Sequence, residues 1–248
     1  MPTIAELRKA TQPPSIFERN SGEHWAGRIY IRRASPYLTR LLLPTRITPN
    51  GVTWLMILAG VAAAAVLILP GVLPAVAAFL LIQLQILLDC SDGELARWRG
   101  VKSVTGVYLD RIGHWLTEGA LPIAIGVRAE EPILGLVAAV LVLLIKGESA
   151  LVTAARAEAG LPVAADTQAV AAPRPRGLRR ARQLLGALPF YRAFVAMEAT
   201  MLALTAAIVD AAAGDLTGSR VLVIALVVTT AITAAGHLVA ILASDRLR

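Results

Sequence analysis

The sequence predicts an all-α, polytopic membrane protein with six transmembrane helices and an N-terminal interfacial amphipathic helix. Three observations lead there. Of 248 residues, 56% are hydrophobic and only 17% are charged, whereas a soluble domain carries about a quarter charged residues. So little polar surface cannot coat a water-facing core, and the bilayer is the expected solvent. The apolar residues fall in continuous Ala/Leu-rich runs near the ~20 residues that cross a hydrocarbon core, without the alternation of a barrel strand. Lys and Arg are also spread unevenly over the connections between those runs. A single cysteine, Cys90, excludes an internal disulfide framework. The formal net charge of +7 fits loops held at an anionic cytoplasmic membrane face, and no nucleic-acid partner is expected.

In chain order, residues 1–47 read as a cytoplasmic and interfacial segment and residues 48–248 as the six-helix membrane domain. The opening MPTIAELRKATQPPS has no apolar core and is not a signal peptide. Residues 28–43, RIYIRRASPYLTRLLL, mix arginines with Ile, Tyr and Leu, as a helix lying in the interface does. Pro36 is expected to kink or break that helix. The spans are placed at 51–69, 73–97, 104–127, 132–155, 190–212 and 220–243. Residues 160–183, rich in Pro, Ala and Arg, read as a cytoplasmic loop.

Cations set the orientation. Arg8, Lys9, Arg19, Arg28, Arg32, Arg33, Arg40 and Arg46 precede the first span, and Arg97, Arg99 and Lys102 surround the turn after the second. Arg174, Arg176, Arg179, Arg180 and Arg182 follow the fourth, and Arg246 and Arg248 end the chain. The opposite connections hold only Arg128 and Arg220. This bias predicts a cell-membrane protein with both termini in the cytoplasm.

Spans two and three carry residues that do not belong in hydrocarbon. Asp89, Asp92, Glu94 and Arg97 lie on the second; Asp110, Arg111, His114 and Glu118 lie on the third. Such groups are costly at membrane depth and mark a site, although those nearest the surface can snorkel. Asp89 and Asp92 are three residues apart and share a helix face. Gly106, Asp110, His114 and Glu118 follow one another at intervals of four along one stripe. A short turn makes the two helices antiparallel, so Asp89, Asp92, Asp110 and His114 are expected to meet. Unpaired carboxylates in low dielectric repel and take up protons; a divalent cation removes that penalty, and oxygen-rich ligands suit Mg²⁺ or Mn²⁺. Gly93, Ala96 and Gly106 allow close helix packing, or leave a slot beside the acids for a flat ligand.

The run Asp89-x-x-Asp92-Gly93-x-x-Ala96-Arg97, eight residues, then Gly106-x-x-x-Asp110-x-x-x-His114 resembles the signature of the CDP-alcohol phosphotransferases, matching seven of its eight fixed positions. The Thr48-Pro49-Asn50 lead-in to the first span is similar as well. The departure is His114, which stands where the family has a fourth aspartate. The resemblance implies transfer of a substituted phosphate from a CDP-linked lipid or alcohol donor to an alcohol acceptor, with release of CMP. It implies Mg²⁺ or Mn²⁺ held by Asp89, Asp92, Asp110 and His114, and catalysis by Asp110 and His114. Pro49, Asn50, Asp92, Gly93, Ala96, Arg97 and Gly106 would contact the nucleotide. It also implies a homodimer with its site at the cytoplasmic face, among membrane lipids. Imidazole can ligate a metal or take a proton at neutral pH, but it cannot bridge two cations as a carboxylate does.

The acceptor is read from the later spans. Lys146 lies roughly 15 Å from the cytoplasmic end of span four at helical rise, so it is expected to face a polar cavity or an acid. With Arg156 and Arg192 it makes a candidate site for an anionic acceptor such as a phosphorylated alcohol; as alternatives, those two arginines are boundary anchors. His237 reads as a hydrogen-bonded packing residue. Two competing functions remain. A metal or proton transporter would need polar residues through the far half of the membrane. A non-catalytic binding relative is motivated by His114 alone.

Overall fold

The structure is a computed structural model that describes residues 1–13, 27–101, 103–162 and 192–247. Among these residues it is all-helical: α1 (Ile4–Thr11), α2 (Arg32–Leu42), α3 (Pro49–Leu67), α4 (Val72–Trp98), α5 (Val104–Arg128), α6 (Pro132–Glu158), α7 (Ala196–Ala213) and α8 (Thr217–Leu242). Five of them, α3, α4, α6, α7 and α8, are long and apolar enough to cross a membrane. The remaining expected span, α5, has the length at 25 residues, but Asp110, Arg111, His114, Glu118 and Arg128 lower its apolar character. The arginine-rich loop after α6 lies outside the described residues, as does Lys102. Helix α7 starts at Ala196 rather than near 190, because Val195 is still extended.

The chain divides into two compact units. The first comprises Met1–Ala63 and Ala77–Thr117; the second comprises Ala64–Val76 and Glu118–Arg248.

In the first unit, α1 begins with a reciprocal cap. Thr3 Oγ1 accepts the Glu6 amide at 3.2 Å and Glu6 Oε2 accepts the Thr3 amide at 2.7 Å, which satisfies two otherwise orphaned donors. A wide π-type turn, Gly27–Ile31, leads into α2. Of the kink or break expected at Pro36, the break does not occur: α2 runs through Pro36. Proline has no N–H for the carbonyl four residues back. That carbonyl, of Arg32, instead accepts Gln12 Nε2 at 2.9 Å. The helix buries Ser35, Pro36 and Thr39 and exposes Tyr37 and Leu41. Its hydroxyl face therefore points into the protein. Val52, Met56, Ile57, Ala59, Leu88 and Leu95 form the apolar core beneath it, flanked by Leu38, Leu42 and Leu109. Deeper in the unit, Gln85 Nε2 donates to Thr117 Oγ1 at 2.8 Å, joining α4 to α5.

In the second unit, α5 and α6 cross closely. A Cβ added to Gly126 would come within 2.6 Å of the Gly135 Cα, the close approach that small residues permit between membrane helices. Arg128 closes the α3–α4 turn by donating to the carbonyls of Leu69 and Gly71, each at 2.8 Å. Asp210 near the end of α7 accepts both the amide and the hydroxyl of Ser219, which fixes the start of α8.

Candidate functional site

The acidic stripes of α4 and α5 are brought together by two helix ends that the sequence writes clearly. Gly100, at φ 66°, ends α4. The Val101 amide bonds the Ala96 carbonyl at 3.0 Å and the Gly100 amide bonds the Arg97 carbonyl at 3.2 Å, the paired bonds of a Schellman stop. Ser103 then caps α5, its Oγ accepting the Gly106 amide at 2.7 Å. The chain thus reverses within a few residues, and α5 returns antiparallel along α4.

That register sets His114 Nε2 3.3 Å from Asp89 Oδ1 and 3.5 Å from Asp110 Oδ1. Asp89, Asp110 and His114 each offer a ligand atom within 4.8 Å of the others, and all three are half-buried. Two carboxylates and an imidazole at this separation fit a divalent cation: hard oxygen donors with one borderline nitrogen. Asp92, expected in the same cluster, is engaged one turn further along, where Oδ2 accepts the Thr53 hydroxyl of α3 at 2.6 Å.

The residues expected around a nucleotide also gather in this unit. Thr48 caps α3, its Oγ1 accepting the Gly51 amide at 3.1 Å, and Pro49 occupies the first helical position, where its missing N–H costs nothing. The Pro49 carbonyl lies 3.1 Å from Thr53 Oγ1. Asn50 faces Gly106: a Cβ there would lie 2.9 Å from Asn50 Oδ1, so glycine is what permits the approach. Over Gly93 lies the Arg97 guanidinium, with Nη1 3.1 Å and Nη2 3.3 Å from the position of an added Cβ. Ala96 is half-buried on the same helix. Arg99 gathers the α2–α3 connection by donating to the carbonyls of Ile47 and Thr45, the latter at 3.2 Å. This fixes the approach to Pro49 and Asn50.

The three cations proposed for an acceptor lie in the second unit, and each is engaged there. Lys146 Nζ pairs with Glu118 Oε2 at 2.7 Å, the acid that its depth requires. Arg192 Nε pairs with Glu198 at 2.9 Å. Arg156 donates to the carbonyls of Pro162 at 2.8 Å and Arg246 at 3.0 Å. His237 Nδ1 is 2.7 Å from Glu148 Oε2, in line with the packing role read from the sequence.

Sequence reasoning did not identify Thr53, and it flagged Glu94 as a membrane acid without assigning it partners. Thr53 holds Asp92; its place one helical turn after Pro49 was the available signal. Glu94 is fully buried and accepts Gln12 Nε2 at 2.8 Å, Ser35 Oγ at 2.5 Å and Thr39 Oγ1 at 2.7 Å. Its charge on a membrane helix marked it as part of a site, but nothing in the spacing named its partners.

Among known families, residues 46–242 match the one described as CDP-alcohol phosphatidyltransferase. No curated protein matches the chain. The matched segment spans α3 to α8 and includes every acid of the α4–α5 cluster. With that coverage, the chain belongs to the CDP-alcohol phosphatidyltransferase family.

Proposed function

We propose that this protein is a membrane enzyme of phospholipid biosynthesis that moves a phosphatidyl group from CDP-diacylglycerol to an alcohol, releasing CMP. Six spans, both termini in the cytoplasm and a cytoplasmic-side site complete the reading, on the charge bias of the connections. The observation that carries it is the convergence of Asp89, Asp110 and His114 within 4.8 Å, inside the segment that matches the family.

In this reading Asp89, Asp92 and Asp110 would hold Mg²⁺ or Mn²⁺, with His114 beside them. When bound, the cation would supply charge neutralisation at the diphosphate. The rest falls to the chain. Asn50, Gly93, Ala96 and Gly106, with Pro49, line the nucleotide slot, and Arg97 binds phosphate or cytidine. The acceptor hydroxyl attacks the phosphorus of the phosphatidyl group, its O–H proton passes to His114 Nε2, and the P–O bond to CMP breaks. Both short contacts of His114 use Nε2, so ligation and proton transfer compete for one atom. We assign Nε2 to the proton, with Asp89 Oδ1 and Asp110 Oδ1 stabilising the imidazolium.

Lys146, Arg156 and Arg192 are the proposed acceptor contacts. An anionic acceptor would compete with Glu118 for Lys146 and with Glu198 for Arg192. Paired assays with phosphorylated and unphosphorylated alcohols read that competition.

The test is CMP release by the purified protein from CDP-diacylglycerol with a panel of alcohols, in Mg²⁺ or Mn²⁺, with mass spectrometry of the lipid formed. No CMP from any donor in either metal would overturn the assignment. Parental turnover by Asp92→Asn would remove the metal from it. The competing reading, a binding-only relative, rests on His114. Strong activity in His114→Asp from an inert parent would favour it.

A further inference from the structure

Glu94 is a fully buried carboxylate that the reaction does not use. It lies on α4 between the two halves of the Asp92-Gly93 and Ala96-Arg97 run. Its donors all come from the N-terminal segment: Gln12 Nε2 at 2.8 Å, Ser35 Oγ at 2.5 Å and Thr39 Oγ1 at 2.7 Å, with Arg32 Nη1 4.0 Å away. A buried carboxylate is stable only when its lone pairs are satisfied. The end of α1, through Gln12, and the inner face of α2, through Ser35 and Thr39, therefore meet α4 at this carboxylate.

The same Gln12 amide also reaches the Arg32 carbonyl that Pro36 leaves open, and Arg8 Nη2 donates to the Arg33 carbonyl at 3.0 Å. Glu94, α1 and α2 are thus tied in a closed loop. The last carbonyls of a helix lack intrahelical partners, and that end favours a cation. In α1 the Thr11 carbonyl accepts Arg97 Nε. With Nε taken, the remaining guanidinium nitrogens, Nη1 and Nη2, lie over Gly93. A guanidinium free to swing would lose this aim, because Arg rotamers are many and ordering them costs free energy.

We propose that Glu94 is a positioning residue: by clamping α1 and α2 to α4 it sets the Thr11 carbonyl, which holds Arg97 Nε and aims the guanidinium across Gly93 at an anionic nucleotide. The inference rests on the functional reading above for the nucleotide, and on the first unit's own geometry for the clamp.

The test is CDP affinity of the full-length protein in Mg²⁺, by calorimetry in detergent, for the parent, Glu94→Ala, Glu94→Gln, Gln12→Ala and Arg97→Ala, and for Glu94→Ala combined with Arg97→Ala. Glu94→Ala is expected to weaken CDP by about tenfold or more. Glu94→Gln keeps an acceptor for Gln12 and Ser35 and is expected to stay within about threefold of the parent. Gln12→Ala, which leaves the core untouched, is expected to fall between them. In the Arg97→Ala background, Glu94→Ala should cost less than about twofold, because its effect passes through the missing guanidinium. Parental affinity in Glu94→Ala and Gln12→Ala, or a full additional loss in the Arg97→Ala background, overturns this inference alone. Absence of CDP binding by the parent overturns the functional reading and this inference with it.

Discussion

Thr53 of α3 donates its hydroxyl hydrogen to Asp92 Oδ2 of α4 at 2.6 Å. The donor is buried, so the bond is shielded from water and orients one oxygen of a motif carboxylate. Thr53→Val keeps the shape and removes the donor, leaving a half-buried carboxylate short of a partner at a cost of about 1–3 kcal/mol. Turnover measured as CMP release should fall roughly tenfold, since 1.4 kcal/mol is a factor of ten. Thr53→Ser should retain most of it. Equal rates for the Val and Ser variants would mean that Asp92 needs no second group to orient it.

His114 provides the next prediction. Its Nε2 faces two carboxylate oxygens, an arrangement that stabilises a protonated ring. If Nε2 takes the hydroxyl proton, His114→Ala should lower kcat by about 10²–10⁴-fold and leave the KM for the CDP-linked donor within a few-fold. His114→Asp should also lose activity, because the shorter side chain withdraws the accepting atom from its present position. Steady-state kinetics at several pH values distinguishes the cases. A His114→Asp variant faster than the parent would identify the histidine as an impairment rather than a base.

The sequence made the membrane helices and the acid cluster legible for a local reason. Asp89, Gly106, Asp110 and His114 lie on two helices joined by a short turn, so spacing alone determines which faces meet. In the structure Gly100 ends α4 and Ser103 caps α5 at that turn. The partners of Glu94 were not legible, because Gln12, Ser35 and Thr39 lie 55 to 82 positions away and no periodicity links them. That Pro36 does not break α2 was unreadable for a related reason: the carbonyl it leaves open is met by Gln12 through a tertiary bond. Lys146 was readable in kind, as a buried cation needing an acid. Glu118, its partner, was assigned to the acid stripe of α5, because helical spacing does not identify a neighbour on another helix.

The Lys146–Glu118 pair is short, at 2.7 Å, and largely withdrawn from solvent. Removing one partner of a buried pair strands the other charge, at a cost of about 3–5 kcal/mol, whereas replacing both by apolar groups is often neutral. Lys146→Met and Glu118→Leu should therefore each lower the Tm in detergent, and the double variant should recover most of the loss. Additive losses would show that the two side chains do not depend on each other.

Glu6 allows a pH prediction outside the membrane helices. Its carboxyl accepts the Thr3 amide at 2.7 Å, and this hydrogen bond, with that of the Thr3 side chain, holds its pKa below the usual glutamate value. A lowered folded-state pKa means stability that is present above the unfolded value and lost as pH falls through the folded one. Protection of the Leu7 amide, bonded to the Thr3 carbonyl at 3.0 Å, should therefore weaken on acidification below about pH 4.5. Hydrogen exchange of Glu6→Gln should show no such step. An identical acid response in that variant would assign the effect to another group.

Two glycines of α6 make opposite predictions for the same substitution. A Cβ on Gly135 would lie 2.7 Å from the Pro122 carbonyl oxygen and 2.9 Å from the Gly126 Cα. Both obstacles are backbone, so no side chain can turn aside, and α5 and α6 would have to separate. Overpacking of this kind costs about 1–3 kcal/mol and occasionally more. Gly147, three turns further along the same helix, has nothing within 4 Å of an added Cβ. There the gain in helix propensity, roughly 0.5–1 kcal/mol, stands without a steric penalty. Gly135→Ala should lower the unfolding temperature in detergent and Gly147→Ala should hold or raise it. Because residue change, helix and solvent are the same, a shared sign would mean that the response reflects helix propensity alone and that the α5–α6 contact carries no close packing.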